Sequence, residues 1–390
     1  MGDVVSFGQA ILVVSAGLSV AVAGRVLAGR LGIPSAALLL IVAAAASALS
    51  DRLAGLLTIT EVQRLTTVAL VVILFDGGMT MGLRRFRAAV APIVALGLVG
   101  TFATASLVAL AAHSLLGLTW TISGLIGAAI APTDPAVTFS VLAGRAVHGS
   151  SATILEGESG FNDPAGIALM VGLVELATHP SSSFATVVWD FGRQMGVGLA
   201  VGVIGGFILC RLLVRLVLPE ESLYPIAVVL SAGVVYGAAA VAHGSGFLAV
   251  FVAGIAVGDI DYPQRDGVLH FHSTLAALGE LAVFIGLGLT VDLGFIVNEG
   301  LWWRGLVLAT LLGFVIRPLV VGGLLAPFPI TRRGRIFIMW SGLKGAVPIL
   351  LASLAVAGRT AYAPQIYGIV FVVVLFSVVV QGSLVPRFAD

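Results

Sequence analysis

Apolar runs about twenty residues long recur from residue 8 almost to the end of the chain, each broken by a short cluster of charge, proline or glycine. Wound as an α-helix, a run of about 20 residues matches the hydrocarbon thickness of a bilayer. Thirteen such spans can be drawn, at 8–29, 33–50, 62–82, 88–112, 119–142, 150–177, 194–217, 222–242, 245–259, 270–290, 300–325, 334–356 and 362–386. Only "AHGSG" separates the eighth from the ninth. A secretory signal would show one short apolar segment near the start, so the recurrence predicts an all-α, polytopic membrane protein.

Composition agrees with that solvent. Of 390 residues 59% are hydrophobic and 10% charged, with mean hydropathy +1.13, against roughly 25% charge in a soluble domain. The net charge of +1 gives no basic surface for nucleic acid. The single cysteine, Cys210, has no second cysteine to pair with. Placing the N-terminus outside puts thirteen arginines at cytosolic ends and loops and five outside, with Arg317 and Lys344 left within spans. That bias fits an odd number of crossings with the C-terminus in the cytosol, in the cell membrane.

The informative residues are ionisable groups at membrane depth, each unfavourable there unless paired, hydrated or neutralised. Asp134, Glu158, Asp163, Glu280, Arg317 and Lys344 are the clear members, and Lys344 is the chain's only lysine. Asp76 in "LFDGGM" lies close to the cytosolic arginines and reads as a boundary residue. Two segments also break helical chemistry inside a span. In the fifth, "GAAIAPTDPAVTFS" sets Pro132 and Pro135 around Thr133 and Asp134; in the twelfth, "SGLKGAVP" sets Gly342, Gly345 and Pro348 around Lys344. The two breaks are seven spans apart, as expected if helices 1–6 and 8–13 are inverted repeats joined by helix 7 and a transport site lies at the midplane.

The sixth span explains why "GESGFNDP" interrupts so apolar a chain. On a helix Glu158 and Asn162, Ser159 and Asp163, and Ser159 and Asn162 are three or four residues apart, so they cover one stripe that cannot face lipid. Placed against an unwound Thr133–Asp134 segment, the stripe offers two carboxylates, a hydroxyl, an amide oxygen and backbone carbonyls. Such an all-oxygen set, without His or Cys, suits a hard and weakly charged ion. Burial and Asp134 favour a protonated Asp163, whereas a bound cation favours the ionised form, so proton and cation compete for one carboxylate. No cofactor is implied. The census also pairs Glu158 with Arg317, from opposite repeats, with Lys344 as the competing partner.

"APTDP", "GESGFNDP" and "GLKGAVP", in that order, together with "LFDGGM" and "HGSGFLAVFVAG", resemble the signature of the monovalent cation/proton antiporter-1 family. The resemblance implies that Asp163 is the cation and proton carrier, that Thr133, Asp134 and Ser159 complete the shell around a monovalent cation, and that Asn162, with Pro132 and Pro135, shapes the site. Asn162 stands where electrogenic relatives carry an aspartate, which implies electroneutral exchange of Na+ or K+ for H+. Arg317 matches the family's arginine opposite Glu158, while Lys344, beside Gly345 at the second crossover, stands where arginine is usual and lacks its planar fork. The family's elevator-like architecture implies scaffold helices at 1–86 and, with linker helix 7, at 181–298. Core helices would lie at 87–180 and 299–390. A homodimer in the bilayer is implied, with a cytosolic regulatory region beyond residue 390.

Rival functions explain less. His243 and Ser245 in "HGSG" could mimic a serine protease, and Asp134 with Asp163 an aspartyl pair, but the first reads as a glycine-rich turn without an orienting acid. The second leaves Glu158, Arg317 and both helix breaks unused. A passive cation channel would not need a titratable carboxylate in its ion site.

Overall fold

The computed structural model describes all residues except 1–7, 9–11, 13, 14, 25, 27–33, 51, 52, 54, 135, 136, 139–148, 180, 181, 216, 359, 361, 389 and 390. The described chain is helical, without strands. Its principal elements are α1 (Ser15–Gly24), α2 (Ser35–Leu49), α3 (Ile59–Ala88), α4 (Val90–Leu116), α5 (Trp120–Ile130), α6 (Ser150–Thr178) and α7 (Phe184–Arg215). They continue with α8 (Leu223–Val241), α9 (Gly246–Gly258), α10 (Arg265–Leu289), α11 (Leu301–Leu324), the two halves α12a (Arg332–Trp340) and α12b (Ala346–Ala357), and α13 (Ala363–Leu384). Seven of these helices, α3, α4, α7, α8, α10, α11 and α13, are long and apolar enough to cross a membrane, and α6 runs 29 residues with its polar stripe inside.

Two groups of helices emerge from the packing. Helix α3 lies against α9 and α10, with α2, α7 and α8 around them; α4, α5, α6, α11, α12b and α13 form the other group. In lipid there is no hydrophobic gain from joining helices, so close van der Waals approach must do the work, and small residues permit it. The α3–α9 crossing shows this: a Cβ on Gly78 would strike Phe251 O, and one on Gly254 would strike Phe75 O. The two groups meet where α6 passes α3 and α9. There the tip of the Phe251 ring fills the space where a Cβ on Gly160 would sit and meets Phe161 at right angles at 5.9 Å, a close apolar contact.

Several boundaries depart from hydropathy for local reasons. Helix α3 continues past the end of its apolar run through a kink at Gly82, whose φ of 67° favours glycine. Asp259 secures the kink by accepting from Arg84 N–H at 2.6 Å. Helix α7 starts ten residues before the expected 194, because polar residues on one side of its first turns do not disrupt the helical backbone. "AHGSG" is a turn, with His243 at φ 58° and Ser245 Oγ capping α9 at Leu248 N. Among the described residues three helices carry π-turns: α4 at Ala95–Gly100, α11 at Leu312–Ile316 and α13 at Ser377–Gln381.

Candidate functional site

Proline 132 has no N–H to continue α5, and the helix stops at Ile130; Ala131–Asp134 follows without helical hydrogen bonding. Helix α12 is interrupted between Trp340 and Ala346, where Gly342 and Gly345 fall and Pro348 follows within α12b. The two irregular segments cross and bond directly, Asp134 N–H donating to Leu343 O at 2.8 Å. Gly345 faces the Asp134 carboxylate so closely that a Cβ would overlap it, and Gly342 lies against the Arg317 guanidinium. Non-helical backbone at membrane depth must find other partners for its polar groups.

Those partners are specific side chains. Lys344 Nζ donates to Ala131 O at 2.8 Å and Pro132 O at 2.9 Å. Asn162 brackets Thr133, its Nδ2 donating to Thr133 Oγ1 at 2.8 Å and its Oδ1 accepting from Thr133 N–H at 3.4 Å. Thr138 Oγ1 donates to Ser341 O at 2.8 Å. From α13, Ser377 Oγ accepts from Lys344 N–H at 3.0 Å, and Gln381 Nε2 donates to Trp340 O at 3.1 Å. Ser377 and Gln381 were not singled out from the sequence; the signal was two polar residues four apart in "FSVVVQ", an otherwise apolar run.

The α6 stripe lies against this crossing, and residues 157–166 are all buried despite containing Glu158, Ser159, Asn162 and Asp163. Ser159 Oγ is 3.2 Å from Thr133 Oγ1. Asp163 is 5% exposed, within the electrostatic reach of Asp134 and Lys344. Its Oδ1 is the one buried carboxylate oxygen among the described residues without a hydrogen-bond partner. Pro132 packs onto Gly166, while Pro135 lies outside the described residues.

Glu158 and Arg317 face each other fork to fork. Arg317 Nη1 donates to Glu158 Oε1, and Nη2 donates to Oε2 at 2.8 Å and to Ile338 O at 3.3 Å. Both residues are under 5% exposed. Arg317 is delivered just past the α11 π-turn, and α6 approaches α4 at its π-turn, where Gly97 sits 3.3 Å, by its would-be Cβ, from Glu158 O. The bidentate geometry assigns Arg317, not Lys344, as the direct ionic partner, because only a guanidinium presents two parallel N–H donors to one carboxylate.

Asp76 and Arg85 lie toward the arginine-rich end of α3. Arg85 bridges α3 to α6 through Glu156 at 2.9 Å and Thr153 Oγ1 at 3.2 Å. Asp76, with Thr80, Arg85, Asp259, His270 and Ser273 among others, lines a cavity of about 510 Å3 between α3, α9 and α10. Glu280 is half-buried on α10. His243 and Ser245 belong to the turn between α8 and α9.

A polytopic helical bundle with two interrupted helices crossing beside a buried, incompletely bonded carboxylate defines an ion-transport scaffold rather than a hydrolytic centre. Residues 17–390 match the transmembrane sodium/hydrogen exchanger family, and the chain belongs to that family. It is 34% identical over 377 residues to the K+/H+ antiporter NhaP of Alkalimonas amylolytica, covering 95% of this chain and 65% of the relative. It is also 26% identical over 345 residues to the Na+/H+ antiporter NhaH of Halobacillus dabanensis, covering 84% of this chain and 83% of that protein. The chain therefore spans less than two thirds of the NhaP relative's length. Its fold is that of the sodium proton antiporter MjNhaP1 from Methanocaldococcus jannaschii, with a TM-score of 0.84 over 98% of both chains at 23% identity.

Proposed function

We propose that this protein is an electroneutral monovalent cation/proton antiporter in which one cation, Na+ or K+, and one proton compete for Asp163. The observation that carries the reading is the buried, unpartnered Asp163 Oδ1, on the α6 stripe one turn beyond Ser159, whose hydroxyl lies 3.2 Å from that of Thr133. A buried carboxylate with an open acceptor is stable when it holds either a proton or a cation, and unfavourable when it holds neither. Exclusive occupancy by one or the other is what obligate exchange requires. Asp134 supplies a second negative charge nearby, and Asn162 holds Thr133 in place without adding charge.

Charge bookkeeping supports electroneutrality. In formal charges, Arg317 and Lys344 contribute two positive against three negative on Glu158, Asp134 and Asp163, one net negative charge before loading. Either a monovalent cation or a proton brings the cluster to neutrality, so both loaded forms cross the bilayer without a net charge to desolvate.

The helix groups then take roles. Helices α4–α6 and α11–α13 form the moving core, and α2, α3 and α7–α10 the scaffold. The Gly160–Phe251 contact lies on the apolar boundary across which the core would move. Both the π-turns of α4 and α11 and the breaks of α5 and α12 lie seven helices apart, in keeping with inverted repeats. The arginine-rich ends of α3 and α12a lie with the start of α6, through Arg85–Glu156 and the approach of Gly334 to Ser151, which supports a single cytosolic side with the N-terminus opposite. Homodimerisation belongs to the same reading; α7 and α8 are the least buried of the long spans, so their apolar faces are available to lipid or a second copy.

The test is reconstitution. Proteoliposomes holding the purified chain and a pH-sensitive dye should report proton movement when Na+ or K+ is added. Cation flux without coupled proton movement would point to a channel and overturn the reading.

A further inference from the structure

The last carbonyls of a helix lack the N–H donors that the next turn would supply. At a water-exposed end, solvent or a glycine turn fills that role. Just past the end of α5, buried among other helices, the ammonium of Lys344 fills it for the cap residue and the unwound segment that follows, bonding Ala131 O at 2.8 Å and Pro132 O at 2.9 Å. The lysine is 2% exposed and comes from the opposite interrupted helix, its own N–H anchored on Ser377 Oγ at 3.0 Å. Two carbonyl oxygens at the negative end of a helix, next to a carboxylate, make half of a coordination shell for a hard cation. This chain fills that half with a cation of its own.

We infer that Lys344 is a specificity-determining positioning residue for the cation site. Its ammonium occupies the Ala131 and Pro132 carbonyls, which restricts the transported ion to the oxygens of Thr133, Ser159 and Asp163 and fixes the segment that presents Thr133 to Asn162 and Ser159. The inference rests on Asp163 being the ion carrier. A neutral side chain at 344 frees two carbonyls as additional ligands and removes a positive charge that acts on Asp163. Both changes alter how different ions bind. A staple that only holds two helices together would instead lower the amount of folded protein or the maximal rate for every ion alike.

The experiment measures apparent KM and maximal exchange rate for Na+ and K+ in proteoliposomes containing wild type, Lys344→Gln, Lys344→Arg, Ser377→Ala and Asp163→Asn. In Lys344→Gln the ratio of the two KM values shifts by about tenfold, and in Lys344→Arg, which keeps a cation over the carbonyls, it stays within about twofold of wild type. Ser377→Ala keeps the charge but loosens its backbone anchor, so it shifts the ratio in the same direction by less. An unchanged ratio in Lys344→Gln, with only the maximal rate or the thermal stability lowered, overturns the inference. Should Lys344→Gln not fold, an unchanged ratio in Ser377→Ala does so. Exchange that survives Asp163→Asn instead overturns the carrier reading beneath it, so the two failures are distinct.

Discussion

At the scale of single residues, the chemistry concentrates in a few side chains that lipid could not tolerate. Asp163 has the open oxygen, and Asp163→Asn keeps its shape while removing the carboxylate proposed to exchange a proton for a cation. The expected outcome is loss of cation-driven proton movement in vesicles with thermal stability in detergent close to wild type. Glu158 and Arg317 behave differently, because their bidentate pair satisfies two charges that neither could keep alone. Glu158→Gln or Arg317→Gln should each lower stability by about 3–5 kcal/mol, by stranding a buried charge. The double variant should recover much of the loss, with strong coupling in a double-mutant cycle read by thermal unfolding. The corresponding cycle of Glu158 with Lys344 should show much weaker coupling, since the lysine bonds carbonyls of α5 and not the carboxylate.

Interrupted helices dominate the scale of elements. An interruption is useful only if every freed backbone group is satisfied, and here the work is shared among α5, α6, α11, α12a, α12b and α13. Arg317 takes Ile338 O, Gln381 takes Trp340 O, Thr138 takes Ser341 O, Asp134 N–H takes Leu343 O, and Ser377 takes Lys344 N–H. Ser377→Ala and Gln381→Leu should therefore each destabilise the protein by about 1–3 kcal/mol through an orphaned backbone group. Because Ser377 Oγ also donates to Gln381 Oε1 at 3.1 Å, the two losses should be less than additive in thermal unfolding. Gly345→Ala is a sharper probe. Its methyl would occupy the position of the Asp134 carboxylate, so the crossing must open. Exchange should fall to background in that variant even where the folded fraction, read by size-exclusion elution, stays high.

For the whole molecule, the expected property is indifference to membrane potential. Moving one net charge across the bilayer couples to about 2.3 kcal/mol per 100 mV, so an unbalanced cycle would respond visibly. On the proposed exchange of one cation for one proton, the cation/proton balance point in proteoliposomes should not move when a potassium diffusion potential is imposed in a Na+ gradient experiment. A displaced balance point would show that more than one proton accompanies each cation, and Asn162 would then lose its significance as the residue that keeps the site singly charged.

Much of this protein was determined by local sequence. The bilayer class follows from hydropathy alone, because no soluble fold buries so many apolar runs of membrane-spanning length. The interruptions at Pro132 and around Gly342–Gly345 follow from missing donors and missing Cβ atoms, which act on their own neighbours in the chain. The α6 stripe follows from helical periodicity. Tertiary structure alone decided which distant groups meet. Glu158 could have bonded Arg317 or Lys344 on charge; the approach of α11 just past its π-turn brings the guanidinium in fork to fork and leaves the lysine for the carbonyls of α5. Ser377 and Gln381 could not be recognised as part of the crossing, because their value depends on backbone groups 33 and 41 residues away that are orphaned only once α12 is broken. Charge, length and periodicity act within a segment, but satisfying a freed N–H or C=O depends on what the fold carries to within 3 Å of it.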